Sequence, residues 1–187
     1  MKKEDITKTA RKLKRKYGIV SGNKLCDLLE VDVLPMYCGT GSDAINAFVK
    51  RNNRRDCILL NMDLSPRIRE LVLYHEIGHV VMKHTQAGVV ACMQLFARRE
   101  TSVMEIEANE FAVEYIVDDE EVIRTFQETN SFFRTASLLR ITPDMLYYKW
   151  RMLVYYGKLA GEPPILASSD CMGHLENDVN GAWEYGC

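Results

Sequence analysis

Apolar side chains at Ile6, Ala10, Leu13 and Tyr17 recur at helical spacing through a lysine-rich stretch that ends at Gly18. Residues 3–17 therefore read as an amphipathic helix. A second, shorter helix is expected over 22–30. The period then shortens. Residues 31–38, 44–50 and 56–61 are extended candidates separated by the turn-rich runs Gly39-Thr40-Gly41-Ser42-Asp43 and Asn52-Asn53-Arg54-Arg55, a pattern that predicts a small antiparallel meander. From Ser65-Pro66 the period is helical again, with Ser as the N-cap and Pro at the first helical position. That helix should run to about residue 84. Further helices are expected over 102–117, 119–128, 131–139 and 142–156, the last opened by Thr142-Pro143. The tail holds Pro163-Pro164, is rich in glycine and shows little periodicity.

These elements predict an α+β fold, mainly helical, with a small antiparallel three-stranded sheet packed beside the helix that starts at Pro66. The expected organisation is a single domain over 1–160, in which 131–160 form a C-terminal helical appendix, followed by an irregular tail over 161–187.

Composition narrows the class. The chain has 187 residues, 47% hydrophobic and 27% charged, which is globular and excludes a fully disordered chain. No run approaches the roughly 20 apolar residues of a membrane span, and the basic start has no apolar segment behind it, as a secretory leader would. A cytoplasmic protein without membrane attachment is expected. The six cysteines lack CxxC spacing and read as free thiols. The net charge of −2 hides a division: residues 1–100 carry 18 basic and 11 acidic groups, and 101–187 carry 6 and 15.

The chemistry is concentrated in Leu73-Tyr74-His75-Glu76-Ile77-Gly78-His79. Two histidines four apart on a helix share a face and can reach one metal ion from successive turns. Glu76 projects beside that ion, where it can take a proton from the attacking water and return it to a leaving amine. Gly78 costs about 1 kcal/mol relative to Ala in mid-helix, a cost that makes sense if another backbone packs closely there. A catalytic zinc needs a third protein ligand and an open fourth position. His84 lies five residues past His79, about 140° round a continuous helix, and should not share the ligand face. A glutamate from a later helix remains, and Glu105-Ile106-Glu107-Ala108-Asn109-Glu110 offers three. Helical phase ranks Glu105 first and Glu107 second. Ala108 would let the two helices approach, and Asn109 could orient a ligand histidine. Glu107, Glu110 and Glu114 fall on a charged face that reads as solvated.

HEIGH followed by Glu105-Ile106-Glu107-Ala108-Asn109-Glu110-Phe111-Ala112 resembles the ImmA/IrrE family of zinc metallo-endopeptidases, in detail over residues 75–112. The resemblance implies one catalytic zinc ion held by His75, His79 and Glu105, with Glu76 as general acid/base. It also implies a protein substrate: a helix-turn-helix transcriptional repressor of a phage or mobile element. The run Val113-Glu114-Tyr115-Ile116-Val117-Asp118-Asp119 departs from the small, leucine-rich stretch usual there. The alternative from another class is a non-proteolytic antirepressor that inactivates its partner by contact.

Weaker features have simpler readings. Residues 1–16 carry eight basic and two acidic groups; they lie on the polar face of a helix with no aromatic among them, and a solvated face is preferred to a nucleic-acid contact. The helices around 131–156 loosely resemble a helix-turn-helix, but in the acidic half of the chain DNA binding is disfavoured and core packing preferred. Tyr147, Tyr148, Trp150, Tyr155 and Tyr156 also read as core, with a peptide-binding wall as the alternative. Cys171 and His174, or the terminal Cys187, could reach an open zinc position and hold an enzyme latent.

Overall fold

The computed structural model describes residues 3–41, 44–52, 55–87, 90–92 and 102–164. The expectations for the tail beyond 164, including Cys171, His174 and Cys187, lie outside the described residues. Helices α1 (Lys3–Tyr17) and α2 (Gly22–Leu28) precede strands β1 (Asp32–Met36), β2 (Ala47–Asn52) and β3 (Arg55–Asn61). Then come α3 (Pro66–Val81), a short 3-10 turn (His84–Ala87), β4 (Val90–Cys92), α4 (Val103–Ile116), α5 (Asp119–Thr129), α6 (Phe132–Leu138) and α7 (Pro143–Tyr155). The α+β class, mainly helical, is as expected. Ser65 and Thr142 cap α3 and α7 through their hydroxyls, each with Pro in the first turn. No helix among the described residues is long and apolar enough to cross a membrane.

The sheet departs from a meander in two ways. Its order is β1-β3-β2-β4, and β1 runs parallel to β3 while the other pairs are antiparallel. Side-chain bonds gather at the end of β3. The buried Asn61 amide donates to the carbonyls of Gly39 (2.7 Å) and Ile45 (3.1 Å), and Asp63 accepts from the Gly39 N–H at 2.8 Å. These bonds hold residues 39 and 45 at the end of β3, and β2 lies on its far side instead of folding back on β1. β4, not expected from the sequence, adds to β2 with Ala47 opposite Cys92.

Helix α3 lies between this sheet and α4, which is why every residue from Val72 to His79 is buried. The crossing of α3 and α4 is very close. A Cβ added at Gly78 would stand 2.9 Å from the Ala108 Cα and 3.0 Å from its carbonyl oxygen. Helices α6 and α7 join the same core: Trp150 is buried against Phe126 and Phe132.

A buried ionic network ties the two ends of the chain together. Lys149, with no exposed surface, bonds Glu114 at 2.7 Å and also pairs with Asp119. Arg11 of α1 reaches the same two carboxylates at 2.6 and 2.7 Å, and Lys158 joins Asp119 at 2.8 Å.

Two predictions test this packing. Gly78→Ala gains helix propensity of about 1 kcal/mol but drives a methyl into the α4 backbone. A net loss of roughly 1–3 kcal/mol in chemical denaturation is expected, and a stabilised variant would show that the helices do not approach so closely. Asp119 supplies a pH signature. Burial alone would raise its carboxyl, but Lys149 and Lys158 outweigh burial and hold it at about 2, below the ordinary 3.8. A depressed carboxyl stabilises the fold above its unfolded value and loses that contribution as pH falls through the folded one. Asp119→Asn should therefore cost about 2 kcal/mol at neutral pH, with the gap from wild type closing between about pH 4 and pH 2.

Candidate metal centre

His75, Glu76 and His79 all come from the enclosed stretch of α3, and none has exposed surface. Glu105 projects from the first turn of α4, its side chain 17% exposed. The close crossing brings these groups together. His75 Nε2 lies 3.1 Å from His79 Nε2 and 3.1 Å from Glu105 Oε2, while His79 Nε2 lies 3.3 Å from Glu105 Oε1. Donors around a tetrahedral zinc at 2.0–2.1 Å stand about 3.3 Å apart, so the trio already has the spacing of three ligands to one ion.

The outer partners of both imidazoles determine what they offer. Asn109 Oδ1 accepts from His75 Nδ1 at 2.8 Å. His84 Nε2 donates to the Glu107 carboxylate at 2.9 Å, which leaves its Nδ1 to accept from His79 Nδ1, also at 2.9 Å. With both Nδ1 atoms carrying protons, neutral His75 and His79 each present an Nε2 lone pair. Two lone pairs and a carboxylate then converge with no proton between them. They repel unless a cation joins them, and the donor set of two imidazoles and one carboxylate is one that zinc takes in catalytic sites.

The titration tendencies report the same demand for positive charge. Burial would lower His75, but Cys92, Glu105 and Glu76 outweigh it and push His75 well up, so a proton can serve where a metal ion would. Burial, together with the charges of His75 and His84, draws His79 down to about 4. Glu105 is held at about 2 because its bonds to the two histidines overcome burial.

Glu76 stands apart. Both of its carboxylate oxygens are buried without a hydrogen-bond partner, the only such side-chain atoms among the described residues, and burial lifts its carboxyl to about 8. A second group of donor atoms shares His75: Cys92 Sγ, Glu76 and His75 lie within 4.8 Å of one another.

The structure thus brings His75, His79 and Glu105 together, sets Glu76 beside them, and backs His75 with Asn109. Glu107 is elsewhere, bonded to His84. The charged face of α4 is not solvated, in contrast to its sequence reading: Glu107, Glu110 and Glu114 are buried because α1, α3 and α7 surround the helix. Sequence reasoning missed the role of His84. Its angular argument assumed a continuous helix, but α3 stops at Val81 and Lys83 takes a left-handed φ of 64°, which turns His84 back onto His79. Cys92 was missed as well, because β4 was not recognised. A carboxylate placed to meet a third histidine was the one available signal.

No curated protein matches the chain. The Peptidase_M78 family model, described as the IrrE N-terminal-like domain, matches residues 29–151 and takes in every residue of the site described above. With about two thirds of its length inside that match, the chain belongs to this family of metal-dependent peptidases.

Proposed function

We propose that the protein is a zinc-dependent endopeptidase that cleaves a protein substrate, with His75, His79 and Glu105 as ligands of one catalytic zinc and Glu76 as general acid/base. The observation that carries this reading is the convergence of two imidazole nitrogens and a carboxylate, at the spacing of ligands to one ion, beside a buried carboxylate that has no other partner. Bound zinc would polarise the scissile carbonyl and acidify the attacking water. Glu76 would accept the proton of that water and deliver it to the leaving amine. A cation held by the neighbouring trio would lower the Glu76 carboxyl from its buried value toward the range where it can act as a base. Burial keeps bulk water from competing for the same proton. Asn109 holds His75, and the Glu107–His84 pair holds His79, each in the tautomer that binds metal. The family resemblance supports a helix-turn-helix repressor as substrate and the cytoplasm as the place of action.

Glu76→Gln removes the base and keeps the shape. It should bind about one zinc per chain and lose on the order of 10²- to 10⁴-fold in cleavage of a co-expressed repressor. Undiminished cleavage would overturn the mechanism, and derepression with the repressor left whole would favour action by contact. The histidine supports give a separate signature. Glu107→Gln and His84→Phe should weaken zinc binding by on the order of 10- to 100-fold in a chelator competition, whereas Glu76→Gln should leave it near wild type. Equal affinities across the three variants would remove His84 and Glu107 from the site.

A further inference from the structure

We propose that Cys92 is a fourth protein donor to the ion, its thiolate closing in the resting protein the position that hydrolysis requires for water. The inference rests on the metal reading above and adds latency to it. Cys92 is held at the site by its backbone: it stands opposite Ala47 on β2, and its carbonyl accepts from the Asn46 N–H at 2.9 Å. Its side chain is 1% exposed. Its sulfur, a Glu76 oxygen and a ring nitrogen of His75 lie within 4.8 Å of one another, so the thiol shares His75 with the ligand trio and stands close to Glu76. An attacking water must likewise stand close to Glu76 for that carboxylate to reach it. Of the cysteines among the described residues, Cys92 is the one grouped with these donors; Cys38 is exposed.

Thiolate is a strong zinc ligand with a bond of about 2.3 Å. Donors of a mixed N/S tetrahedral site stand roughly 3.5 Å apart, so coordination would draw the sulfur inward toward the trio. The step balances without redox chemistry. The sulfur–metal bond would form as the S–H bond breaks, and the proton would leave to solvent. The closed state would thereby remove the water position, and a substrate that displaces the thiolate, with a proton returning to sulfur, would reopen it. Borderline and soft divalent ions would bind both donor types; hard ions would not engage the thiol.

Cobalt(II) titration of the metal-free full chain, without oxygen, tests this. The wild type should show a near-ultraviolet thiolate-to-cobalt charge-transfer band together with the visible bands of four-coordinate cobalt. Cys92→Ser should lose the first and keep the second, with cobalt affinity lowered on the order of 10- to 100-fold, as for other supports of a metal site. Cys38→Ser should behave as wild type. Visible bands without a charge-transfer band in the wild type overturn the role of Cys92 and leave the metal reading standing. A charge-transfer band that survives in Cys92→Ser transfers the role to another thiol, such as Cys171 or Cys187. No cobalt uptake by the wild type overturns both readings. The wild-type spectrum decides the matter even if Cys92→Ser folds poorly.

Discussion

Helices α3 and α4 cross with almost nothing between their backbones, and the chemistry of this protein follows from that approach. Gly78 gives up its side chain to Ala108, whose own is a single methyl group. His75 lies three residues before Gly78 and Glu105 three before Ala108, so each helix presents a donor one turn from the crossing. His79 follows Gly78 directly. A bulkier pair would hold the helices at ordinary distances of 8–10 Å and separate the carboxylate from the imidazoles. The same approach brings Asn109 to His75 and Glu107 to His84, so a single contact sets both the donors and their supports.

Close packing also explains how this interior tolerates so much charge. Burying an ionised group is costly unless it finds partners, and partners are present almost throughout: Lys149 meets two carboxylates, Glu107 meets His84, and Glu105 meets both His75 and His79. Against that background, the orphaned oxygens of Glu76 carry information. Among the described residues, a core that satisfies its other buried side-chain oxygens and nitrogens leaves one carboxylate without a donor next to a cluster that attracts a cation. Stability alone gives no reason to keep it there.

Much of this was legible in the sequence because the signals were local. The helical period gave α1 from Ile6 to Tyr17, Ser65-Pro66 and Thr142-Pro143 gave two helix starts, and the spacing of His75, Glu76 and His79 gave a common face. Gly78 even announced its close neighbour. What escaped depends on the fold as a whole. The parallel pairing of β1 with β3 goes with bonds that the Asn61 side chain makes to Gly39 and Ile45, in a stretch that reads locally as an ordinary turn. The support that His84 gives to His79 was hidden because one left-handed residue, Lys83, ends the regular geometry on which the angular argument relied. The carboxylates of α4 looked solvated because a helical wheel shows one helix, whereas three others enclose this one.

The segment after Phe111-Ala112, where the sequence departs from the resembled pattern, has a structural reading of its own. Glu114 binds Arg11 and Lys149, and the Tyr115 hydroxyl donates to the Gly18 carbonyl at 2.7 Å while receiving the Val20 N–H at 3.3 Å. Both residues fasten α1, which precedes the matched family domain, onto α4. The basic N-terminal helix is therefore part of the same core as the candidate metal centre. Three of its basic residues are engaged within the chain: Arg11 with Glu114 and Asp119, Lys14 with Asp118, and Lys16 over the Tyr17 ring. The charge division between the two halves of the sequence thus acts in part as an internal attraction that draws α1 onto the acidic end of α4 and the start of α5. A helix held this way by its charges has fewer of them to offer to phosphates, which weighs against its serving as a nucleic-acid arm.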